Sequence, residues 1–457
     1  MRYALSDIAP IKRILRSRWL QWSLTATTLL FFVLAIVAGL FGTPAGNRNF
    51  GIVFVWIVWW GLLILLLVPF AGRLWCTMCP IPAPGEWIQR RALVQPRPGS
   101  RLYTLGLKWP RKLRNIWLQN FGFLAVALFS IVILTTPAIT AFVLLGFALV
   151  AIVTSLLFER RTFCRYLCPV GGFIGLYSQA APVEIRVKDR AVCAGHREKT
   201  CYTGNEEGYG CPWMLFPGSL TANTYCGMCT ECLKTCPHDN VALFVRPPTA
   251  ELWQGADRRV DEAFKGLIML ACAFIYSAVL IGPWGFLKQT AAAVGTPGWF
   301  AYAAAFLALN LAVLPGLFWL AVRIGGRLSG RGREQGGNRP RKLFADYAAV
   351  LVPLGLAAWA AFSLSFVLVN LSYAWSVPSD PLGWGWDLLG SASLKWTPYL
   401  TGLVPYLQIP VMLAGLGVAL ALALSTARRH GQTAWGAIPV AVFCTGATIG
   451  LLALYLV

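Results

Sequence analysis

Apolar residues along this chain come in long unbroken blocks, not in the alternation of a half-buried strand or the one-sided stripe of a surface helix. Nine blocks carry almost no charge, and each is about 20 residues long, the length a helix needs to cross roughly 30 Å of hydrocarbon. They run from Leu20 to Leu40, Gly51 to Phe70, Ile116 to Thr135, Ala138 to Phe158, Phe264 to Leu287, Gly298 to Val322, Phe344 to Leu371, Leu403 to Ser425 and Ala434 to Val457. Little more than Thr136 and Pro137 separates the third block from the fourth, so these two predict a helical hairpin. The pattern predicts an all-α polytopic membrane protein of about nine transmembrane helices. Between the fourth and fifth blocks lies the longest polar stretch, which divides the chain into 1–158, 159–263 and 264–457.

Composition agrees: 57% of the 457 residues are hydrophobic and 12% charged, too apolar for a soluble domain of this size. The net charge of +21 raises the question of nucleic acid, but its distribution answers otherwise. With the N-terminus inside, 36 of the 39 Lys and Arg fall on the inner side, and only Arg48, Lys288 and Lys395 fall outside. This is the positive-inside bias, and it predicts a bacterial cytoplasmic membrane protein with its N-terminus inside and its C-terminus outside. The first block follows basic residues as a signal peptide does. It is long and a second block follows at once, so it reads as a retained helix. No acidic residue, Lys, Arg or His sits near the middle of a block, which disfavours ion-coupled transport. The three histidines, His196, His238 and His430, all lie between blocks, which excludes a pair of membrane haems held by four histidines.

Thirteen cysteines facing a reducing compartment point to metal and not to disulfides. Cys272 and Cys444 stand alone in apolar blocks and read as packing residues. The stretch "YCGMCTECLKTCPHDNVAL" places Cys226, Cys229, Cys232 and Cys236 at ferredoxin spacing with Pro237 behind the last. Three thiolates so spaced wrap three corners of a cubane, and the fourth commonly reaches a neighbouring cluster. A zinc knuckle uses CxxC pairs without this three-thiolate run. Upstream, "VCAGHREKTCYTGNEEGYGCPW" gives Cys193, Cys201 and Cys211 with stretched spacings and one cysteine too few. In a crossed arrangement Cys211 completes the cluster of Cys226, Cys229 and Cys232, and Cys236 joins Cys193 and Cys201. His196, a water or a membrane-edge cysteine would then fill the open corner. Alternatively, Cys236 closes a single cluster locally. Two 4Fe-4S clusters are the expectation.

Two further pairs form an internal repeat. "GRLWCTMCP" places Cys76, Cys79 and Pro80 after the second block, and "RRTFCRYLCP" places Cys164, Cys168 and Pro169 after the fourth. Each opens with an arginine, any residue, an aromatic and the first cysteine, Arg73 to Cys76 and Arg161 to Cys164. These four cysteines are candidate metal ligands, for a third centre or for copper, or a place of contact with quinone.

Together these residues resemble the membrane-bound polyferredoxins similar to NapH and to the C-terminal half of NosR, with a more distant likeness to CcoG. The resemblance covers roughly Ile11 through Val245. It implies a ferredoxin-like iron–sulfur insertion and an electron-transfer component of an oxidoreductase system, linking a quinol pool or cytoplasmic donor to a respiratory or periplasmic partner. The first pair is spaced CxxCP where the family has CxxxCP, the first ferredoxin motif is one ligand short, and five helices follow the loop with no flavin domain ahead. The likeness to CcoG implies the alternative of a copper reductase or assembly factor, and a redox sensor is a third reading. Lys188, Arg190, Arg197 and Lys199 would suit an acidic flavodoxin or ferredoxin, or are ordinary inner-side charge. In the outer connection, Trp375, Trp384, Trp386 and Trp396 read as interfacial anchors or as a docking face for a periplasmic carrier or partner subunit. The Gly- and Arg-rich stretch 323–342 reads as an inner linker near anionic lipid.

Overall fold

A computed structural model describes residues 2–95, 102–255, 258–329 and 339–456. It is mostly helical, and among the described residues eight helices are long and apolar enough to cross a membrane. These are α1 (Arg18–Phe41), α2 (Phe50–Ala71), α4 (Pro137–Leu157), α5 (Val260–Ile281), α6 (Pro297–Leu328), α7 (Pro340–Asn370), α8 (Thr401–Arg429) and α9 (Ala434–Leu456). The third predicted span is the shorter α3 (Trp117–Leu128), which breaks at Phe129 and resumes as Ser130–Thr135. The fifth ends at Ile281, six residues early, where Gly282 takes an extended backbone and Pro283 follows; proline cannot continue the helix. Residues 330–338 of the Gly- and Arg-rich stretch lie outside the described residues.

The chain divides into two compact units, the first comprising Met1–Ile36, Leu66–Gln119 and Ala141–Ala250. All eleven cysteines outside the apolar helices belong to it. Here the polar insertion forms a three-stranded antiparallel sheet in the order β1 (Tyr3–Ala4), β3 (Val241–Val245), β2 (Val183–Val187). In β2 the alternation Val-Glu-Ile-Arg-Val puts Ile185 into an apolar cluster with Met228, Leu233, Val241, Cys201 and Cys232. Glu184, buried, takes Arg246 at 2.7 Å and Arg2 at 2.9 Å. The N-terminal helix Ala9–Arg16 and the start of α1 strap this region. Lys12 donates to Asp239 at 2.6 Å, Arg18 makes a two-pronged pair with Glu231 at 3.0 and 3.1 Å, and Thr230 donates to the Leu15 carbonyl. Burial opposes the charge on Glu231, but Lys234, Arg18 and Arg90 hold its pKa at about 2.

The second unit comprises Val37–Leu65, Asn120–Thr140 and Glu251–Val457. Its core centres on α5 and α7, where buried Trp359 donates to the Met269 carbonyl at 3.1 Å and meets the Trp60 ring edge-on. Cys272 and Cys444 are buried within α5 and α9, and Cys272 donates to Asn310. Between α7 and α8 the carboxylates organise the connection: Asp380 accepts from the backbone of Trp384 and Gly385, and Asp387 from Ser379 and Ala392. Trp375, Trp384, Trp386 and Trp396 stand exposed on it.

Candidate metal centres

The two membrane-edge repeats are built alike. Each begins with a residue in the left-handed backbone region, Gly72 (φ 59°) and Arg160 (φ 57°), which turns the chain just ahead of the arginine. In the first repeat, Trp75–Met78 is one α-turn, and Cys79 follows with extended backbone at φ −63°, ψ 126°. In the second, Phe163–Leu167 is a wider π turn, closed by the Cys168 amide on the Phe163 carbonyl at 2.9 Å. A π turn holds one more residue than an α-turn. The extra residue between Cys164 and Cys168 is absorbed there, and Cys168 ends in nearly the same conformation as Cys79, φ −62°, ψ 113°.

The repeats face each other. Cys79 has Cys168 and Cys76 within electrostatic reach, and Cys164 has Cys168, Cys79 and Cys76. Burial pushes the Cys79 and Cys164 thiols up, with Arg161 opposing and the neighbouring thiols adding to it, while Cys168 is pushed up by burial to about 11, tempered by the Gly171 amide that donates to its sulfur at 3.2 Å. The arginines cross over. Arg161 of the second repeat donates to the Cys76 carbonyl of the first at 2.6 Å and is forked onto Glu86. Arg73 of the first lies against Gly171 and Gly175, in the helix that follows Cys168, and donates to the Thr224 carbonyl. Burial opposes the charge on Glu86, but Arg161 and Arg90 hold it below the usual carboxylate range.

A second group lies in the insertion. Cys211 and Cys226 are in reach of each other, Cys229 and Cys232 of Cys211. Burial pushes Cys211 to about 11 and Cys229 to about 12, and raises Cys226 and Cys232 as well. Trp213, two residues beyond Cys211, packs its ring against Gly227, where a Cβ would stand 1.9 Å from the indole nitrogen. The third group is Cys193, Cys201 and Cys236, with Cys201 pushed to about 11 by burial and then by Cys236 and Cys193. Asn240 ties this group together: its side chain donates to the Cys193 sulfur at 3.2 Å and its amide to that of Cys236 at 3.4 Å. His196, a candidate for the open corner, has its ring 4.6 Å from that of His238. The groups adjoin, since Cys201 is in reach of Cys232, Arg161 of Cys229 and Arg73 of Cys226.

Among the described residues no three His, Cys, Asp or Glu side chains close on a single ion. A four-iron cube presents separated corners, so looser sets of thiols suit it. The donors fit such a cube in two further ways. Crowded buried thiols resist ionisation, and bound iron offsets that resistance by holding them as thiolates. Backbone and side-chain N–H groups already aim at Cys168, Cys193, Cys211 and Cys236, the hydrogen bonding that tunes cluster potentials.

Sequence reading found the cysteines and the repeat but not Glu86, Asn240 or the Trp213–Gly227 contact. Asn240 had one faint signal, an amide four residues past Cys236. In comparisons with known proteins, residues 52–101 and 140–188 each match the family of 4Fe-4S binding domains. These matches contain the membrane-edge pairs and not the run from Cys226 to Cys236. No curated protein and no solved structure matches the chain. The two matches, in a chain with eight apolar helices of spanning length, support a ferredoxin-type iron–sulfur family and an iron–sulfur electron-transfer protein of the membrane.

Proposed function

We propose that the chain is a membrane wire in which eleven cysteines hold three 4Fe-4S clusters in series. Cys193, Cys201 and Cys236 serve the outermost, Cys211, Cys226, Cys229 and Cys232 the middle one, and the two repeats together supply Cys76, Cys79, Cys164 and Cys168 for the innermost. The observation that carries the reading is the convergence of the two repeat pairs on each other, beside the insertion thiols, within one compact unit.

When bound, such clusters exchange single electrons. The chain's own residues bury the thiols, supply the N–H donors and place Arg73 and Arg161 between the middle and innermost groups. The positive-inside bias supports a reading in which the cysteine-bearing segments of this unit face the cytoplasm at a bacterial inner membrane, with the C-terminus outside. A quinol pool or an acidic flavodoxin or ferredoxin would supply electrons, and a respiratory or periplasmic partner subunit would take them across the hydrocarbon. The exposed tryptophans between α7 and α8 are the surface for that partner or for the headgroup layer.

The test is iron and acid-labile sulfide per polypeptide on protein purified without oxygen, with EPR of the reduced sample. About twelve irons are expected, falling to about eight in the double variant Cys76→Ser, Cys168→Ser. A wild type at about eight irons that binds Cu(I) through the membrane-edge thiols would favour the copper-reductase reading, which soft thiolates also permit. Zinc without iron would sink both.

A further inference from the structure

Arg73 and Arg161 occupy the same position of the repeat, yet among the described residues only Arg161 has a carboxylate. Its partner Glu86 stands seven residues after Cys79, and seven residues after Cys168 the chain has Gly175. The glycine is enforced by space, because a Cβ there would stand 2.6 Å from the Thr224 carbonyl and 2.9 Å from the Arg73 guanidinium. Arg73 is 3% exposed, its guanidinium lies 4.4 Å over the buried Trp213 ring, and one nitrogen donates to Thr224. Among the described residues its Nε and Nη2 have no hydrogen-bond partner. A buried cation with two idle donors is costly unless an anion compensates it.

Arg73 stands between two groups of thiols. A Cβ on Gly171 would lie 3.4 Å from Cβ of Cys168 and 3.5 Å from Nη2 of Arg73, and the same guanidinium acts on Cys226 across the interval. We infer that Arg73 is the uncompensated cation that raises the reduction potential of the innermost and middle clusters. A nearby positive charge stabilises the more negative, reduced form, and burial lets the charge act with little screening. Arg161, neutralised by Glu86, does this far less, so the two arginines split into one structural and one electrostatic role.

Arg73 has this role only if the flanking cysteines hold clusters, so iron is counted first in every sample. Anaerobic full-length protein, wild type, Arg73→Gln and Arg73→Lys, is then titrated potentiometrically with EPR detection. With iron content unchanged, Arg73→Gln is expected to make one or both clusters at least tenfold harder to reduce at fixed ambient potential, a downward shift of 59 mV for a one-electron couple. Arg73→Lys, which keeps the charge and loses the planar fork, is expected to stay within threefold of wild type. A fully loaded Arg73→Gln that titrates like wild type overturns the inference, as does an equal fall in both variants. If Arg73→Gln fails to hold iron, Arg73→Lys decides: retained iron and potential support the charge, and loss of iron in both makes Arg73 a structural anchor only. A wild type at about eight irons with no response to Cys76→Ser, Cys168→Ser removes the innermost cluster but not Arg73, whose effect is then read on the middle cluster alone.

Discussion

Glu86 shows how one side chain fixes the chemistry of its surroundings. It is buried in the short helix Ala83–Arg90 and carries the fork of Arg161. Replacing it with Gln leaves a buried guanidinium facing a neutral amide, a change expected to cost roughly 3 to 5 kcal/mol. The folded carboxyl titrates below its unfolded value of about 4.3, so its stabilisation is complete above that pH and is lost as pH falls through the folded value. Thermal unfolding in detergent is therefore expected to show wild type well above Glu86→Gln at neutral pH, with the gap closing only below about pH 4. No gap at pH 7 would contradict the pairing. At Gly227 the constraint is steric. Ala would drive a methyl into the rigid, buried Trp213 ring, at about 3 kcal/mol or more if the ring cannot move. The expected outcome is loss of the middle group's EPR signal and about four irons, whereas unchanged iron would show that the ring yields. Neither contact was legible in the sequence. The arginines announced themselves by repetition, but Glu86 and Gly175 are ordinary residues until the repeats are superposed, and the choice of partner is made across 75 residues of chain.

At the scale of elements, apolar length located the helices well, because hydrocarbon thickness leaves few alternatives. It misjudged where they end. The third span breaks at Phe129 inside uninterrupted apolar sequence, and the fifth ends at Ile281, before a Gly-Pro pair that a count of apolar length passes over. The unequal spacing of the two cysteine pairs looked like a departure from pattern, but a π turn in the second pair restores the equivalence. What the sequence concealed most was the N-terminal strap. β1 is two residues long, too short for any periodicity, and it is held by pairing with β3 and by Ser6, which accepts from the Leu243 amide. Deleting residues 2–8 is expected to leave β3 with an open edge. Hydrogen exchange across 241–245 should accelerate while the iron count stays constant. Iron loss on deletion would instead make the strap part of the centres.

For the whole molecule, the asymmetry of basic residues makes the sharpest prediction. Reporter fusions are expected to place the N-terminus and the 159–263 insertion in the cytoplasm and the C-terminus outside, an odd number of crossings. A cytoplasmic C-terminus would mean that the broken segment 117–135 does not span, and would move every later loop to the other side. The architecture also orders events in time. Because Arg161 holds the Cys76 backbone and Arg73 lies against the helix after Cys168, each half of the membrane-edge site is finished by the other. A chain emerging from the ribosome has its first cysteine pair ready some ninety residues before the scaffold that completes it. A fragment ending before Arg161 would carry two thiols and no site, so if the proposed innermost cluster is held there, iron delivery would have to wait for the returning hairpin, and a stalled or truncated chain would stay empty and identifiable as such.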